Sequence, residues 1–280
     1  MGSNALVALA KDNTDRNRTS PFAFTGNKFE FRAVGSSANI GFPLTILNAA
    51  VSEVFEESCE FLKTEMANGK SCDQATKDLT IKWAKSSNKV IFNGDGYSEQ
   101  WLQEAAKRGL PNLRTTADAM EILRDTSKHD FLIKQKVFNG RELETVFNVR
   151  LENFNTYKEI EFETLQHLVY QYVLPACTRY KSDLVETCSK LKAAGLQGTA
   201  ETELLKLVDE YTSKLKTETD TMGQSVERAQ TQNEVDKSKT YAHEVMPMME
   251  RIAVLSNKLE DILPNEIWAL PKYYDMLFVN

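Results

Sequence analysis

The spacing of apolar residues divides the chain into a short extended start and a long helical remainder. From Lys28 to Arg32 charged and aromatic residues alternate, with Phe29 and Phe31 on one side, which is the period of a β-strand. From Leu44 onward apolar residues recur every three or four positions, which is the period of an amphipathic helix. The pattern predicts a mainly α fold with short N-terminal β-strands or a hairpin.

Turn and cap residues set the expected helix boundaries. Predicted helices cover Leu44 to about Met66, Ser71 to Ser86, a segment starting after Ser98, and Thr116 to Leu123. Gly69 should end the first of these, because glycine readily adopts the conformation that closes a helix.

The second half predicts a long antiparallel helical bundle. Glycine is nearly absent from 142 to 191, and we expect Pro175 to kink or divide the helix there. Two further apolar stripes, at 204–215 and 245–262, have helical spacing, and short links favour an antiparallel arrangement. The predicted domains are a disordered leader at 1–14, a segment of strands and helices at 15–140, the bundle at 141–263 and a docked tail at 264–280.

Charge and composition narrow the possible partners. The 280 residues include 34 basic and 40 acidic side chains, giving a net charge of −6. Without a concentrated basic footprint, nucleic acid is not expected as a partner. We expect no membrane span, because no stretch of 18 apolar residues occurs. The four cysteines form no CxxC pair and the three histidines are scattered, which argues against zinc and favours a reduced, cytoplasmic protein.

Two segments could carry chemistry, and each has a structural alternative. Lys28, Glu30 and Arg32, with Arg18 upstream, could form a site for an anionic substrate and a metal ion. The same charges could be the solvated face of an edge strand. The motif NGDGYS at 93–98 could bind metal or phosphate through Asp95. It could equally be a tight turn, with positive φ at its two glycines.

Several motifs together resemble type III glutamine synthetase. The stretch DRNRTSPFAFTGNKFEFR at 15–32 is similar to the Asn-Arg-Ser element and the following strand of that family. NGDGYS with Trp101 and KRGLPNL, the element Leu174-Pro175-Ala176, and the tail from Trp268 to Phe278 also match the type III pattern. The resemblance spans the chain from about Lys11 to Phe278.

The resemblance implies an ATP-dependent ligase that joins ammonia to glutamate through γ-glutamyl phosphate. Glu30 would then ligate Mg²⁺ or Mn²⁺, and Arg18 and Arg32 would bind substrate. Lys28 stands where many relatives have an arginine that binds ATP phosphate, and a lysine keeps the charge but loses the bidentate fork. The family further implies a cytoplasmic homo-oligomer, a double ring of subunits.

The resemblance covers only the C-terminal portion of such an enzyme. The N-terminal β-grasp domain and the strands bearing the other metal ligands are not recognised, so 15–140 is expected to be the last part of the catalytic domain. We therefore expect the chain alone to be inactive and to self-associate through unpaired strand edges. The alternative is a non-catalytic helical assembly or interaction protein derived from the enzyme.

Overall fold

Helices account for nearly all of the ordered architecture. The computed structural model describes residues 22–24, 29–31, 38–92 and 95–277; the leader predicted at 1–14 lies outside them. These residues divide into two compact units, one formed by 1–113 with 127–140 and the other by 114–126 with 141–280. Each unit is described by itself.

The β part of the predicted fold class is corrected by the structure. Strand geometry in the described ranges is confined to β1, Phe22–Phe24, and β2, Phe29–Phe31, which pair antiparallel with Ala23 opposite Glu30. Every other regular element in those ranges is helical. Two three-residue segments paired only with each other form no sheet layer, because a stable sheet needs further strands or a packed face. The fold class is therefore α, and the prediction of a β portion is wrong.

The first unit is built on a helical hairpin. Helix α1, Gly41–Ala67, ends at Asn68, and Gly69 follows with φ +91°, as the sequence predicts. Ser71 then caps α2, Cys72–Ser86, by accepting a hydrogen bond from the backbone N–H of Gln74 at 3.3 Å. The indole N–H of Trp83 donates to Ser58 Oγ at 3.2 Å and joins the two helices.

Shorter elements complete the first unit. A 3₁₀ turn at Asn88–Val90 follows α2, and α3 covers Glu99–Lys107. Helix α5, Thr126–Lys134, begins in the other unit and continues in this one. Gln135, just after it, donates to two carboxylates of α1, those of Glu53 at 2.9 Å and Glu56 at 2.7 Å.

The second unit is the predicted helical bundle. It begins with α4, Thr116–Met120, and a 3₁₀ turn, Glu121–Arg124, after which the long helices follow. These are α6 (Gly140–Leu168), α7 (Leu174–Ala193), α8 (Thr199–Gln230), α9 (Glu234–Thr240), α10 (Met246–Ile262) and the short α11 (Tyr273–Leu277).

One apolar core runs through the bundle. Helix α8 packs against both α7 and α10, and the core includes fully buried Phe162, Leu215 and Leu259. Trp268, from the segment after α10, is 7% exposed and belongs to the same core. The ammonium group of Lys272 donates to two carbonyl oxygens near the end of α10, at 2.7 Å each. These contacts hold the start of the C-terminal tail on the bundle.

Two prolines interrupt the long helices with wide π turns. The turns Val169–Val173 and Tyr241–Val245 lie immediately before the helices that carry Pro175 and Pro247. Proline has no N–H to donate to the carbonyl four residues earlier, so the helix must adjust locally. The prediction that Pro175 kinks or divides its helix is confirmed. The apolar stripe predicted at 245–262 belongs to a helical stretch that begins earlier in the chain, at Glu234, where Asn233 caps α9.

Gly223 marks a close approach between α8 and a side chain of α6. A Cβ placed on Gly223 in α8 would lie 2.9 Å from the side-chain amide nitrogen of Gln166 in α6. The absence of a side chain at this position therefore lets the amide of Gln166 lie against the backbone of α8.

Candidate functional site

The residues predicted to bind substrate and metal lie at the N-terminal end of the chain. Among them the structure describes Glu30, which occupies the middle of β2 opposite Ala23. Arg18, Lys28 and Arg32 lie outside the described residues. The roles assigned to all four therefore stay predictions.

The segment that follows the first unit's 3₁₀ turn forms a turn and a helix cap. Asp95 Oδ1 accepts a hydrogen bond from the backbone N–H of Tyr97 at 3.0 Å, an Asx turn in which the carboxylate satisfies its own backbone. Ser98 Oγ donates to the Asp95 carbonyl at 2.7 Å and accepts from the N–H of Trp101 at 3.3 Å, which caps α3.

This geometry favours the turn interpretation at Asp95. Asn93 and Gly94 lie outside the described residues. Across the described ranges, no three His, Cys, Asp or Glu side chains come together in a way that could hold a metal ion.

Arg108 fixes α3 against the preceding chain. Its Nε donates to Glu104 Oε1 at 2.7 Å, and its Nη1 donates to the Ile91 carbonyl at 2.7 Å. Its guanidinium carbon lies 5.6 Å from the ring centre of Trp101, which in turn stacks on Phe92 at 4.2 Å. The hydrogen bond from Arg108 lowers the pKa of the Glu104 carboxyl. This part of the type III pattern therefore has a structural role in the first unit.

A polar network joins α6 to α9 and the π turn of the second unit. Buried Asn155 donates to Glu234 Oε2 at 2.7 Å, and the Tyr241 hydroxyl donates to Glu159 Oε1 at 2.8 Å. The Lys237 ammonium lies 2.8 Å from Glu234 and 3.5 Å from Glu159, so it links both pairs. Burial, followed by the hydrogen bond to Glu159, raises the pKa of Tyr241, while hydrogen bonds from Lys237 and Asn155 lower that of Glu234.

A second network links the other π turn, Val169–Val173, to α8. The Tyr170 hydroxyl donates to Asp220, and Lys216 Nζ donates to the same carboxylate at 2.6 Å. Lys216 and then Tyr170 lower the pKa of Asp220, whose hydrogen bond raises the pKa of Tyr170. In both networks the charged side chains bind partners within the chain. Such residues are suited to positioning helices rather than to reacting with a substrate.

Sequence reasoning missed several of these residues. Arg108 had a usable signal, because Glu104 lies four positions earlier and such pairs meet on a helix. Pro247 resembles Pro175 in standing inside an apolar helical pattern and could have been treated alike. The sequence gives no sign that Asn155 and Glu234 would pair, since a buried polar residue looks like any other polar residue in a helical pattern.

The amino-acid sequence is similar to that of one family of known proteins. Residues 75–192 match a family model described as the glutamine synthetase C-terminal domain. That match starts in α2 and ends in α7, so it includes α3, Arg108 and the first π turn.

Three relatives match over almost the whole chain. A glutamine synthetase of Bacteroides fragilis (strain YCH46) is 34% identical, and a type-3 glutamine synthetase of Dictyostelium discoideum is 33% identical, each across 100% of this chain. A glutamine synthetase of Butyrivibrio fibrisolvens is 29% identical across 96%. The chain spans 39% of the length of each of these relatives.

Proposed function

We propose, from the premise that this chain belongs to the glutamine synthetase family, that it supplies the C-terminal region of an ATP-dependent glutamate–ammonia ligase. The observation that carries the proposal is the match to a type-3 glutamine synthetase at 33% identity over the entire chain. Because the chain spans 39% of that relative, catalysis is proposed for the complete enzyme, to which this chain would contribute one part.

The chemistry of the N-terminal charges fits this role. Phosphoryl transfer from ATP to the glutamate side chain places negative charge on oxygen, which fixed cations offset. Arg18 and Arg32 would hold the substrate carboxylate or the transferred phosphoryl group through bidentate hydrogen bonds, and Lys28 would contact ATP phosphate as a point charge. Ammonia would then displace phosphate from the acyl phosphate.

One carboxylate in this stretch has the chemistry of a metal ligand. A glutamate supplies the hard oxygen that Mg²⁺ prefers, and such an ion is held by only one or two carboxylates together with substrate phosphates and water. Glu30 at the centre of β2 fits that donor set for Mg²⁺ or Mn²⁺. The bound ion would neutralise phosphate charge, and the Glu30 carboxylate would hold it beside the cationic side chains.

The helical units would act as a scaffold and assembly surface. Ionisable side chains in their networks pair within the chain, as in Lys237–Glu234 and Tyr241–Glu159. Among helices of the described residues, none is both long and apolar enough to cross a bilayer. We place the assembled enzyme in the cytoplasm as a homo-oligomer, with glutamate, ammonia and ATP as substrates.

The test is an assay of the 280-residue polypeptide for phosphate release that requires both ATP and glutamate. We expect no release above background, because one metal ligand and three cations do not complete a site. Release that Glu30→Ala abolishes would overturn the inactivity, while Glu60→Ala, which removes an exposed α1 carboxylate, is the matched control.

A non-catalytic assembly or interaction protein is the second candidate function. It is favoured by the helical bundle of the second unit, whose continuous apolar core includes the fully buried Phe162, Leu215 and Leu259. Light scattering and native mass spectrometry separate the two: the assembly role predicts self-association or binding to an intact glutamine synthetase. A monodisperse monomer that leaves an intact synthetase unbound and its activity unchanged would rule the assembly role out.

A further inference from the structure

A polar pocket lies where α2 ends and the chain turns toward α3. Its volume is about 580 Å³, and the described residues that line it all belong to the first unit. The lining residues are Lys85, Ser86, Asn88, Lys89, Ile91, Glu104 and Arg108.

The pocket is positive although the chain is acidic. Three of its side chains are cationic and one is anionic, a sum of +2 against −6 for the whole chain. The Glu104 charge is matched by Arg108 at 2.7 Å. For Lys85 and Lys89, no ion pair forms with any residue in the described ranges. Two unpaired ammonium groups at one concave surface raise the local concentration of anions.

Helix electrostatics alone gives a competing explanation for the two lysines. The C-terminal end of α2 carries partial negative charge, and Lys85 lies in its last turn, where a cation is favoured. Lys89, however, follows the helix end and belongs to the 3₁₀ turn Asn88–Val90. The dipole effect falls off within the last turn, so it accounts for Lys85 but not for Lys89.

The available donors determine the kind of anion. A planar carboxylate is bound best by the two-pronged face of an arginine. Arg108 uses Nε on Glu104 and Nη1 on the carbonyls of Lys89 and Ile91. These bonds engage one nitrogen of each two-pronged face of the guanidinium. Two lysine point charges and the amide of Asn88 line the same pocket and suit a tetrahedral oxyanion approached from several directions.

We propose that this pocket binds a phosphate group, either free phosphate or a small phosphate monoester. Lys85 and Lys89 would supply the charge and Asn88 a neutral donor. Arg108 acts as a positioning residue, because its bonds to the Lys89 and Ile91 carbonyls hold the 3₁₀ turn that presents Asn88 and Lys89.

The test is isothermal titration of the 280-residue chain with inorganic phosphate, at ionic strength held constant with chloride. Lys85→Gln with Lys89→Gln should weaken binding roughly tenfold, as expected for losing charge-assisted hydrogen bonds. Lys190→Gln with Lys192→Gln is the matched control, because these lysines also lie in the last turn of a helix, α7. It should leave binding unchanged.

Two further measurements distinguish loss of charge from loss of folding and identify the bound phosphate compound. Lys85→Arg with Lys89→Arg keeps both charges and should retain binding, and circular dichroism checks that each variant is folded. Glycerol phosphate in place of phosphate separates the two sources: tighter binding assigns the pocket to a monoester, and equal binding assigns it to free phosphate. Non-saturable binding by the unsubstituted chain, or an equal loss in the control pair, would overturn the proposal. Because the readout is binding, this result is independent of the ligase assay.

Discussion

Removing one hydroxyl from the core of the second unit should cost measurable stability. Tyr241 is 0% exposed, and its hydroxyl donates to Glu159 Oε1 at 2.8 Å. The ring packs edge-to-face on Phe162, with centroids 5.0 Å apart. Tyr241→Phe keeps that ring contact and removes only the hydrogen bond.

The expected magnitude follows from the acceptor. A hydrogen bond to a charged group contributes about 1.5–3 kcal/mol to stability. The Glu159 side chain is 28% exposed and also lies 3.5 Å from Lys237, so water and the ammonium can replace part of what it loses. We therefore expect Tyr241→Phe to lower the free energy of unfolding by about 1.5 kcal/mol. Tyr241→Ala should cost about 4 kcal/mol, since it also leaves a cavity.

Equilibrium urea unfolding followed by circular dichroism measures both values. A double-mutant cycle with Glu159→Ala isolates the pair, and we expect a coupling energy of about 1 kcal/mol. If Tyr241→Phe costs the same with and without the Glu159 carboxylate, the hydrogen bond is not what holds the π turn to α6. In that case, the packing of the ring alone would explain the burial of this tyrosine.

Three further predictions concern backbone, pH and thiol chemistry. Gly223→Ala should stabilise the protein by about 0.5–1 kcal/mol through helix propensity, because the new methyl group meets only the flexible amide end of Gln166. Gly198→Ala, at φ +57°, should destabilise the protein by about 1 kcal/mol. Urea unfolding that gives the same sign for both substitutions would contradict this. The pKa of Glu234 is lowered in the folded protein. The stability that its carboxylate contributes is therefore present above the unfolded-state pKa of about 4.3 and is lost as pH falls through the folded-state pKa. Unfolding curves should show Glu234→Gln less stable than wild type at neutral pH and equally stable in acid. Mass spectrometry after brief alkylation should label exposed Cys59 and spare buried Cys177, whose thiol pKa is raised by burial; labelling of both at one rate would refute that assignment.

The helical half of the fold was predictable because its signals are local. Apolar spacing predicted α1 from about Leu44 to Met66, and Gly69 marked its end, within a few residues of Gly41–Ala67. Pro175 marked the break that the structure shows as a π turn. Each signal acts over three or four residues, which is the range of helix hydrogen bonding.

The β prediction failed because the formation of a sheet does not depend on local signals. Alternation at 28–32 is compatible with a strand, but a sheet needs partners that no local pattern supplies. The described strands, Phe22–Phe24 and Phe29–Phe31, pair only with each other. The candidate site was predictable only as a set of residue types, because the roles of Arg18, Lys28, Glu30 and Arg32 rest on resemblance rather than on observed contacts.

The sequence by itself determined the helical majority, the break at Pro175 and the family, since each depends on residue identity and short spacing. Only the tertiary structure decided which polar residues are paired. Lys237 could bind Glu234 from sequence spacing alone, but its contact with Glu159, and the Tyr241 hydrogen bond to the same carboxylate, join positions about 80 residues apart. The physical reason is that charge pairing depends on distance in space, which helix packing sets and the local pattern does not contain.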